Sequence, residues 1–177
     1  MSQFANSFGT DPGPYVQSLL DLLGDRDPLE ALSELPSRLE PLLRDLDDAT
    51  LRKPEREGKW SMIMIARHLA DAELVLSYRY RIILGNDNPP ITGYDQDAWA
   101  RNLRYAEADL DETLELLRVV RKANVRMLRS LTPEQRRRGG MHSERGFEDM
   151  ERLMRLHAAH DIVHIKQLER VRGAVSA

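Results

Sequence analysis

The sequence predicts an all-α protein, a four-helix bundle with a long crossover connection between helices two and three. Two observations predict this fold class. Apolar residues recur at three- and four-residue steps along four long stretches. No segment alternates with period two, so no sheet is expected. With 177 residues, 41% of them hydrophobic and 31% charged, the chain is expected to form one domain over residues 1–177, with a core at about 13–173.

The predicted helices follow one another along the chain. Helix one covers residues 14–46 and is expected to restart at Pro28 and again at Pro36, because proline is tolerated in a first turn and not in a helix interior. Helix two covers 60–85 and is apolar around most of its circumference, which indicates burial on several sides. Helix three covers 106–131, and helix four covers 147–172 and ends before Gly173.

Two loops are predicted between these helices. Residues 86–96, NDNPPITGYDQ, are rich in Pro, Gly, Asn and Asp, and their number favours a crossover over a tight hairpin. Residues 136–146, RRRGGMHSERG, form the second loop. Both are expected to cover one end of the bundle. Loops on a rigid scaffold commonly contact substrate, so Tyr94 and His142 are candidate substrate-binding residues.

Composition excludes several classes of function. The chain has no cysteine, so any metal must bind His, Asp or Glu, and any thiol must come from outside. A net charge of -3 without a long basic stripe argues against a nucleic-acid partner. No apolar run is long enough to span a membrane, and the N-terminus lacks the pattern of a signal peptide, so a cytoplasmic protein is expected. Helix two is apolar around most of its circumference, and this surface permits a homodimer.

Histidines occupy the apolar faces of two predicted helices. Residues at steps of three, four and seven share one face of a helix. Helix two carries His68 within such a face, between Ile65 and Ala72. Helix four has a longer stripe opposite its Arg and Glu residues: Met150, Leu153, Met154, His157, His160, Asp161, His164, Leu168 and Val171. Burying polar groups without a partner costs about 1–3 kcal/mol each, so these histidines need a common partner.

A metal ion is that partner in the preferred interpretation. His160 and His164 are four residues apart, so both imidazoles can reach one ion, and a third ligand from the facing helix would complete the site. Three protein ligands leave a position open for water or substrate, which is typical of catalytic metal. A lone core histidine is more often simply hydrogen-bonded, and that interpretation is preferred for His157. His142 stays ambiguous at this stage.

The chain resembles the DinB-like (YfiT-like) superfamily of metal-dependent proteins. The resemblance lies in Trp60-Ser61 followed by His68-Leu69-x-Asp71-x-Glu73, in His142-x-Glu144-x-Gly146, and in His160-Asp161-x-x-His164-x-x-Gln167. It implies a four-helix bundle with a long crossover between helices two and three. It also implies one divalent ion, nickel or zinc, on His68, His160 and His164. Relatives include S-transferases that use low-molecular-weight thiols, a thiol-dependent isomerase and proteins described only as hydrolases.

The leading functional hypothesis is a metal-dependent enzyme that transfers a low-molecular-weight thiol to an electrophilic small molecule. An open metal site lowers the pKa of water or a thiol, and a protein without cysteine would need a supplied thiol. A metal-dependent hydrolase is the first alternative. The second is a non-catalytic, metal-stabilised stress-response or interaction protein. A cavity that opens onto the ion would favour an enzyme, and a closed four-ligand site would favour structure.

Three acidic residues accompany the histidines. Asp71 and Asp161 are candidate catalytic residues, which either orient a ligand imidazole or act as a general base. The equally weighted alternative is that each pairs with a nearby arginine such as Arg67 or Arg79. Glu73 lies about 140° from His68 around helix two, so it is assigned to packing or to another interface.

Overall fold

Residues 13–175 are described by a computed structural model, which contains eight α-helices, one short 3-10 helix and a small sheet. The expectation about a signal peptide concerns the N-terminus, most of which lies outside these residues. The elements are α1 (Gly13–Leu23), α2 (Pro28–Leu43), α3 (Asp48–Arg52), α4 (Met62–Gly85), β1 (Pro90–Ile91), α5 (Gln96–Asn102), the 3-10 helix (Tyr105–Glu107), α6 (Leu110–Arg129), α7 (Pro133–Arg137), β2 (Gly139–His142), β3 (Gly146–Asp149) and α8 (Met150–Val175).

The four longest helices form the bundle. Helix α2 packs against α6 and α8, and α4 packs against the same two helices, so the four close into a ring of neighbours. Helix α1 lies against α8. Residues 86–109 connect α4 to α6 and contain β1, α5 and the 3-10 helix, which confirms the long crossover. Within residues 13–175, no helix has both the length and the apolar character needed to cross a membrane.

Aspartates fix the starts of three bundle helices. The Asp27 carboxylate accepts backbone N–H bonds of 2.7 and 2.9 Å at the start of α2, and Pro28 occupies the first turn. Asp109 begins α6 in the same way, with one bond of 2.8 Å. The Asp149 carboxylate accepts a bond of 2.7 Å from the first turn of α8. These caps satisfy backbone donors that have no partner inside the helix.

The predicted restart at Pro36 is wrong, because α2 continues through Pro36 and Pro41. Proline lacks the N–H that would bond to the carbonyl four residues earlier, and this usually breaks a helix. Here the carbonyl left without that bond, at Leu32, accepts a 2.8 Å hydrogen bond from Nη1 of the buried Arg121. A partner from another helix therefore replaces the hydrogen bond that Pro36 cannot make.

The expectation that the chain contains no sheet is also wrong. Strands β1 and β2 pair in parallel, and β2 and β3 form an antiparallel hairpin in which Met141 faces Phe147. The second predicted loop is therefore mostly this hairpin, and α8 begins at Met150 instead of residue 147. Strands of two and four residues, the second opening with Gly139 and Gly140, are too short to show a period-two pattern in the sequence.

A polar layer divides the bundle core into two apolar clusters. One cluster surrounds Tyr80 and Met154, and the other surrounds Leu39 and Leu69. Between them, α4, α6 and α8 place buried polar side chains: His68, Asp71, Glu73, Arg121, Asn124, His157, Asp161 and His164. Such groups are costly to bury unless they are hydrogen-bonded, paired or bound to metal, so this layer is where function is expected.

Candidate metal centre

The structure brings three histidines together from two helices. His68 Nε2 lies 3.1 Å from His160 Nε2, and His164 Nε2 lies 3.1 Å from the same atom. One ring nitrogen from each of the three histidines lies within 4.8 Å of the other two. His160 and His164 come from successive turns of α8, as their four-residue spacing predicts, and His68 comes from the facing α4. Nε2 therefore converges from each ring on one point.

The hydrogen bonds around these rings fit a bound metal. Gln167 Oε1 can only accept, so His164 Nδ1 carries a proton and donates it over 2.8 Å, which leaves the Nε2 lone pair free for a ligand bond. His68 Nδ1 has no hydrogen-bond partner within residues 13–175. His160 Nδ1 faces Asp161 Oδ1 at 4.0 Å, which is beyond hydrogen-bonding distance. Three ring nitrogens that face one another without enough donors between them are what a divalent cation would satisfy.

Burial keeps two of the rings neutral. Together with the neighbouring His160, it lowers the pKa of His164 to about 3. Burial also holds the pKa of His68 well below its usual value, with His164 and His160 adding to the shift. Neutral imidazole is the form that binds metal, and the all-nitrogen donor set suits zinc or nickel. Trp60 packs against His68 with ring centroids 5.0 Å apart and so restricts this ligand's movement.

Beside the histidines, Arg121 holds a buried charge network. Its Nε donates to Glu73 at 2.6 Å and its Nη1 donates to Asp161 at 2.6 Å. Its Nη2 lies 3.0 Å from His157 Nε2, which is also 3.2 Å from a Glu73 carboxylate oxygen, and His157 Nδ1 hydrogen-bonds with the Tyr80 hydroxyl at 2.9 Å. His157 is thus committed to the network and not to the three-histidine cluster.

The network also corrects the assignment of Glu73. Its side chain is fully buried, and Asn124 donates to its second oxygen at 2.6 Å. Burial lowers the pKa of Arg121, but Asp161 and Glu73 more than compensate and the net shift is upward. Burial alone would raise the pKa of Asp161, but Arg121 reverses the effect, so this carboxyl is ionised far below its usual range. The network is therefore fully charged and internally paired.

The two candidate catalytic carboxylates are both engaged. Asp71 accepts a 2.7 Å hydrogen bond from the Tyr105 hydroxyl and forms an ion pair of 3.1 Å with Arg67, one of the two arginines weighed from the sequence. Asp161 pairs with Arg121, which the sequence interpretation did not consider. Burial, followed by the hydrogen bond to Asp71, raises the pKa of Tyr105 far above its usual value.

A cavity of about 810 Å³ opens beside the histidines. Its wall includes His160 and His164, residues of α4, the crossover and the β2–β3 hairpin, and both candidate substrate-binding residues, Tyr94 and His142. The Tyr94 ring packs on Trp99 at 4.5 Å, and burial raises its pKa to about 12. Burial lowers the pKa of His142 to about 4. A cavity of this size suits a small-molecule ligand.

Sequence reasoning missed Arg121 as part of this region. The signal was present, because Arg121 follows Leu114 and Leu117 at seven and four residues and precedes Leu128 by seven, on the apolar face of α6. A charged residue inside such a stripe indicates a buried ion pair. Arg79 was considered only as a partner for the aspartates, and the structure instead places it in the cavity wall.

The fold and this cluster define a helical bundle with a three-histidine, metal-type site. The model of the DinB superfamily matches residues 31–168, and the chain belongs to this superfamily. One relative is 30% identical over 149 residues, covering 82% of this chain and 84% of its own: "Putative metal-dependent hydrolase YfiT" of Bacillus subtilis (strain 168). Protein BH0277 of Halalkalibacterium halodurans carries the same description and is 29% identical, covering 78% of this chain and 82% of its own.

Solved structures support the same fold. YfiT from Bacillus subtilis, described as having an unusual four-helix bundle topology, superposes with a TM-score of 0.75 at 29% identity, covering 82% of this chain and 86% of that one. TT2238, described as a four-helix bundle protein, gives a TM-score of 0.53 at 28% identity, covering 81% and 96%. The predicted fold class is confirmed.

Proposed function

We propose that this chain is an enzyme that depends on one divalent metal ion, zinc or nickel, held by His68, His160 and His164. The observation that carries the proposal is the convergence of three histidines, two of which, His160 and His164, lie in the wall of a small-molecule cavity. Within residues 13–175 the cluster contains no fourth ligand, which leaves a coordination position for a reactant. A metal ion that only stabilises the fold would be expected in a closed site with four protein ligands.

The ion would act as a Lewis acid that lowers the pKa of water or of a thiol at neutral pH. The protein's own residues prepare the ligands for it. Gln167 fixes the tautomer of His164, Trp60 restricts His68, and burial lowers the pKa of both His68 and His164 and so keeps these two imidazoles unprotonated. Arg121 keeps Asp161 ionised near His160, so its negative charge favours a cation in the cluster.

Transfer of a low-molecular-weight thiol to an electrophile is the leading reaction. The thiol sulfur would bond to the electrophilic carbon, the leaving group would depart with its electron pair, and the thiol proton would pass to solvent. Three observations support it. The chain has no cysteine, the cavity has room for two small reactants, and Asp71 and Asp161 are both engaged in ion pairs, so the reaction should not depend on a free carboxylate base.

Hydrolysis of a small molecule is the second candidate, and the names of the relatives favour it. The two reactions differ in what they require. Transfer needs an added thiol and consumes it in stoichiometric amounts. Hydrolysis proceeds with water alone. A non-catalytic, metal-stabilised protein would do neither.

One set of assays separates these functions. Zinc-loaded, nickel-loaded and metal-free protein would be incubated with 1-chloro-2,4-dinitrobenzene, with and without 2-mercaptoethanol, and with p-nitrophenyl acetate alone. Metal-dependent consumption of the chloride only with thiol supports transfer, and metal-dependent cleavage of the ester supports hydrolysis. His160→Ala should abolish either activity, whereas Lys166→Ala, an exposed change on α8, should not. Stoichiometric metal with no turnover of any probe would contradict an enzyme.

A further inference from the structure

Arg79 is a buried arginine without an acidic partner. It is 8% exposed on α4, and its Nη2 donates to the Thr92 carbonyl at 2.8 Å. No carboxylate forms an ion pair with it among the residues the structure describes, in contrast to the buried Arg121. A buried guanidinium without an ion-pair partner is costly, although Glu148 and Glu144 partly offset its charge at longer range, and Arg79 lies in the wall of the cavity.

His142 contributes a second unsatisfied group to the same wall. This side chain is 2% exposed. Its Nδ1 accepts the Glu144 backbone N–H at 3.1 Å, so Nε2 carries the ring proton and is a hydrogen-bond donor. Within residues 13–175 this donor has no acceptor. The same cavity wall thus holds a buried donor without an acceptor, His142 Nε2, and a buried cation without an ion pair, Arg79. An anionic oxygen ligand would satisfy both.

The neighbouring charges leave Arg79 positive. Arg145 is close to Arg79, but its Nε and Nη2 donate to the fully buried Glu148, at 2.6 and 2.9 Å, so that pair is neutral. The acids in the cavity wall, Glu144, Asp95 and Asp97, are exposed or half-buried, and none of them is an ion-pair partner of Arg79. Burial, followed by repulsion from Arg145, lowers the pKa of Arg79. An anion bound next to the guanidinium would offset this destabilisation of its positive charge.

Helix geometry places Arg79 at a distance from the metal cluster. His68 and Arg79 are eleven residues apart on α4, which corresponds to a rotation of about 20° and a rise of about 16 Å, so both lie on one face. Ala72, Val75 and Leu76 lie between them in the cavity wall. The cavity therefore has an apolar floor between the histidines and Arg79, and the long Arg79 side chain spans part of the distance.

From this arrangement we propose that Arg79 and His142 form a carboxylate subsite, so that one reactant is an organic acid whose carboxylate lies several bonds from its reacting atom. The proposal rests on the proposed function, because it places the reacting atom at the three histidines. The carboxylate belongs either to the thiol or to the molecule that the thiol attacks. In both cases the guanidinium supplies charge and a fork of donors, and His142 Nε2 supplies one further hydrogen bond.

Binding of paired probes to the zinc-loaded, full-length chain tests the subsite. Isothermal titration calorimetry would compare 6-mercaptohexanoate with 6-mercaptohexanol, which differ only at the end remote from sulfur. The acid should bind roughly tenfold to a hundredfold more tightly, the usual worth of a hydrogen bond to a charged group. Equal affinity for the acid and the alcohol would overturn the proposal, and this comparison in the unmodified protein does not depend on any variant folding.

Variants test whether Arg79 is responsible for the preference for the acid. Arg79→Gln should remove the preference for the acid, and His142→Phe should reduce it several-fold. Arg81→Gln is the matched control, because it removes one positive charge two residues away on the exposed side of α4 and should leave the preference intact. Full retention of the preference in Arg79→Gln would mean that the carboxylate binds elsewhere, for example at the metal, and would reject the subsite.

The two possible sources of the carboxylate are separated by activity. One arm pairs 6-mercaptohexanoate or 6-mercaptohexanol with 1-chloro-2,4-dinitrobenzene, and the other pairs 6-bromohexanoate or 6-bromohexanol with 2-mercaptoethanol. If the acid is preferred in one arm and Arg79→Gln loses that preference, the reactant varied in that arm is the source of the carboxylate. If the enzyme is active and neither arm shows a preference for the acid, the result counts against the subsite. If no probe turns over while the calorimetric preference persists, the proposed function fails and the subsite stands.

Discussion

At the scale of single residues, the spacing of His160 and His164 decides which histidine can share an ion with which. Four residues place two rings on successive turns of α8, where their Nε2 atoms come within 3.1 Å. His157 shares the face with His164 but lies two turns away, about 10 Å along the axis. Its ring instead hydrogen-bonds with Tyr80 and Arg121. Position on a helix face alone therefore does not identify a ligand.

Metal analysis of single variants tests the proposed ligand set. His68→Ala, His160→Ala and His164→Ala should each lose stoichiometric metal, because three protein ligands leave little redundancy. His157→Ala should keep the metal and lower the free energy of unfolding by about 1–3 kcal/mol, since it leaves buried polar groups without a partner. Retained metal in His160→Ala together with loss in His157→Ala would show that the ligand set is wrong.

Arg121 provides the second residue-scale prediction. Arg121→Met leaves Glu73 and Asp161 as buried charges without a cation, so the free energy of unfolding should fall by about 3–5 kcal/mol. Arg118→Met, three residues earlier and exposed, should change it by less than about 0.5 kcal/mol. Urea denaturation measures both. A small effect at Arg121 would mean that the buried network contributes little to stability.

At the scale of elements, Pro36 and Arg121 should be energetically coupled through one carbonyl. In the double variant Pro36→Ala with Arg121→Met, the new N–H of residue 36 can bond to the Leu32 carbonyl that Arg121 no longer reaches. The loss caused by Arg121→Met should then be about 1 kcal/mol smaller in the Pro36→Ala background than in the original chain. Strictly additive effects in this double-mutant cycle would show that the two residues do not share the carbonyl.

The small sheet requires a residue without a side chain at position 140. A Cβ at this position would lie 2.6 Å from the Pro89 carbonyl oxygen and 2.9 Å from Ile91 Cδ1, so β1 could not stay against β2. Gly140→Ala should therefore lower the free energy of unfolding by about 1–3 kcal/mol, the usual cost of overpacking. Gly173→Ala is the matched control on α8, where a Cβ meets nothing within 4 Å and should add up to about 1 kcal/mol of helix stability. Thermal denaturation of both variants decides.

At the scale of the whole molecule, the neutral histidines make stability depend on pH. Burial, with Arg145 adding to it, lowers the pKa of His142 to about 4 in the folded chain, although Glu148 opposes this shift. In the unfolded chain this histidine takes up a proton near pH 6.5. Its contribution to stability is therefore complete above pH 6.5 and is lost as the pH falls towards 4.

Urea denaturation of the metal-free chain at several pH values measures this dependence. Between pH 6.5 and 4, His142→Gln should lose less free energy of unfolding than the original chain, because glutamine does not titrate and can still accept from the Glu144 N–H. His68 and His164, whose pKa values are also lowered, keep part of the slope in both proteins. Identical slopes would show that His142 is not held neutral by the fold.

Much of the fold followed from local patterns. The helix periodicity and the proline at position 28 predict the four main helices to within a few residues, because these signals act within one element. The predicted end of helix four before Gly173 is wrong, because α8 continues through Gly173 to Val175. The helix break at Pro36 and the absence of a sheet were wrongly predicted because both depend on contacts between different elements. Arg121 and Leu32 lie 89 residues apart, and β2 pairs on one side with β1, which lies in the crossover before α6.

The sequence by itself determined the helix faces, and with them which histidines face the core. It did so because a helix converts spacing into direction, so His68, His160 and His164 had to point into the core. Only the tertiary structure decided what each buried charge meets: Glu73 with Arg121, Asp71 with Tyr105, and Arg79 with a cavity and no acid. These partners come from other helices and loops, and distance across the bundle is not encoded in the spacing along one of them.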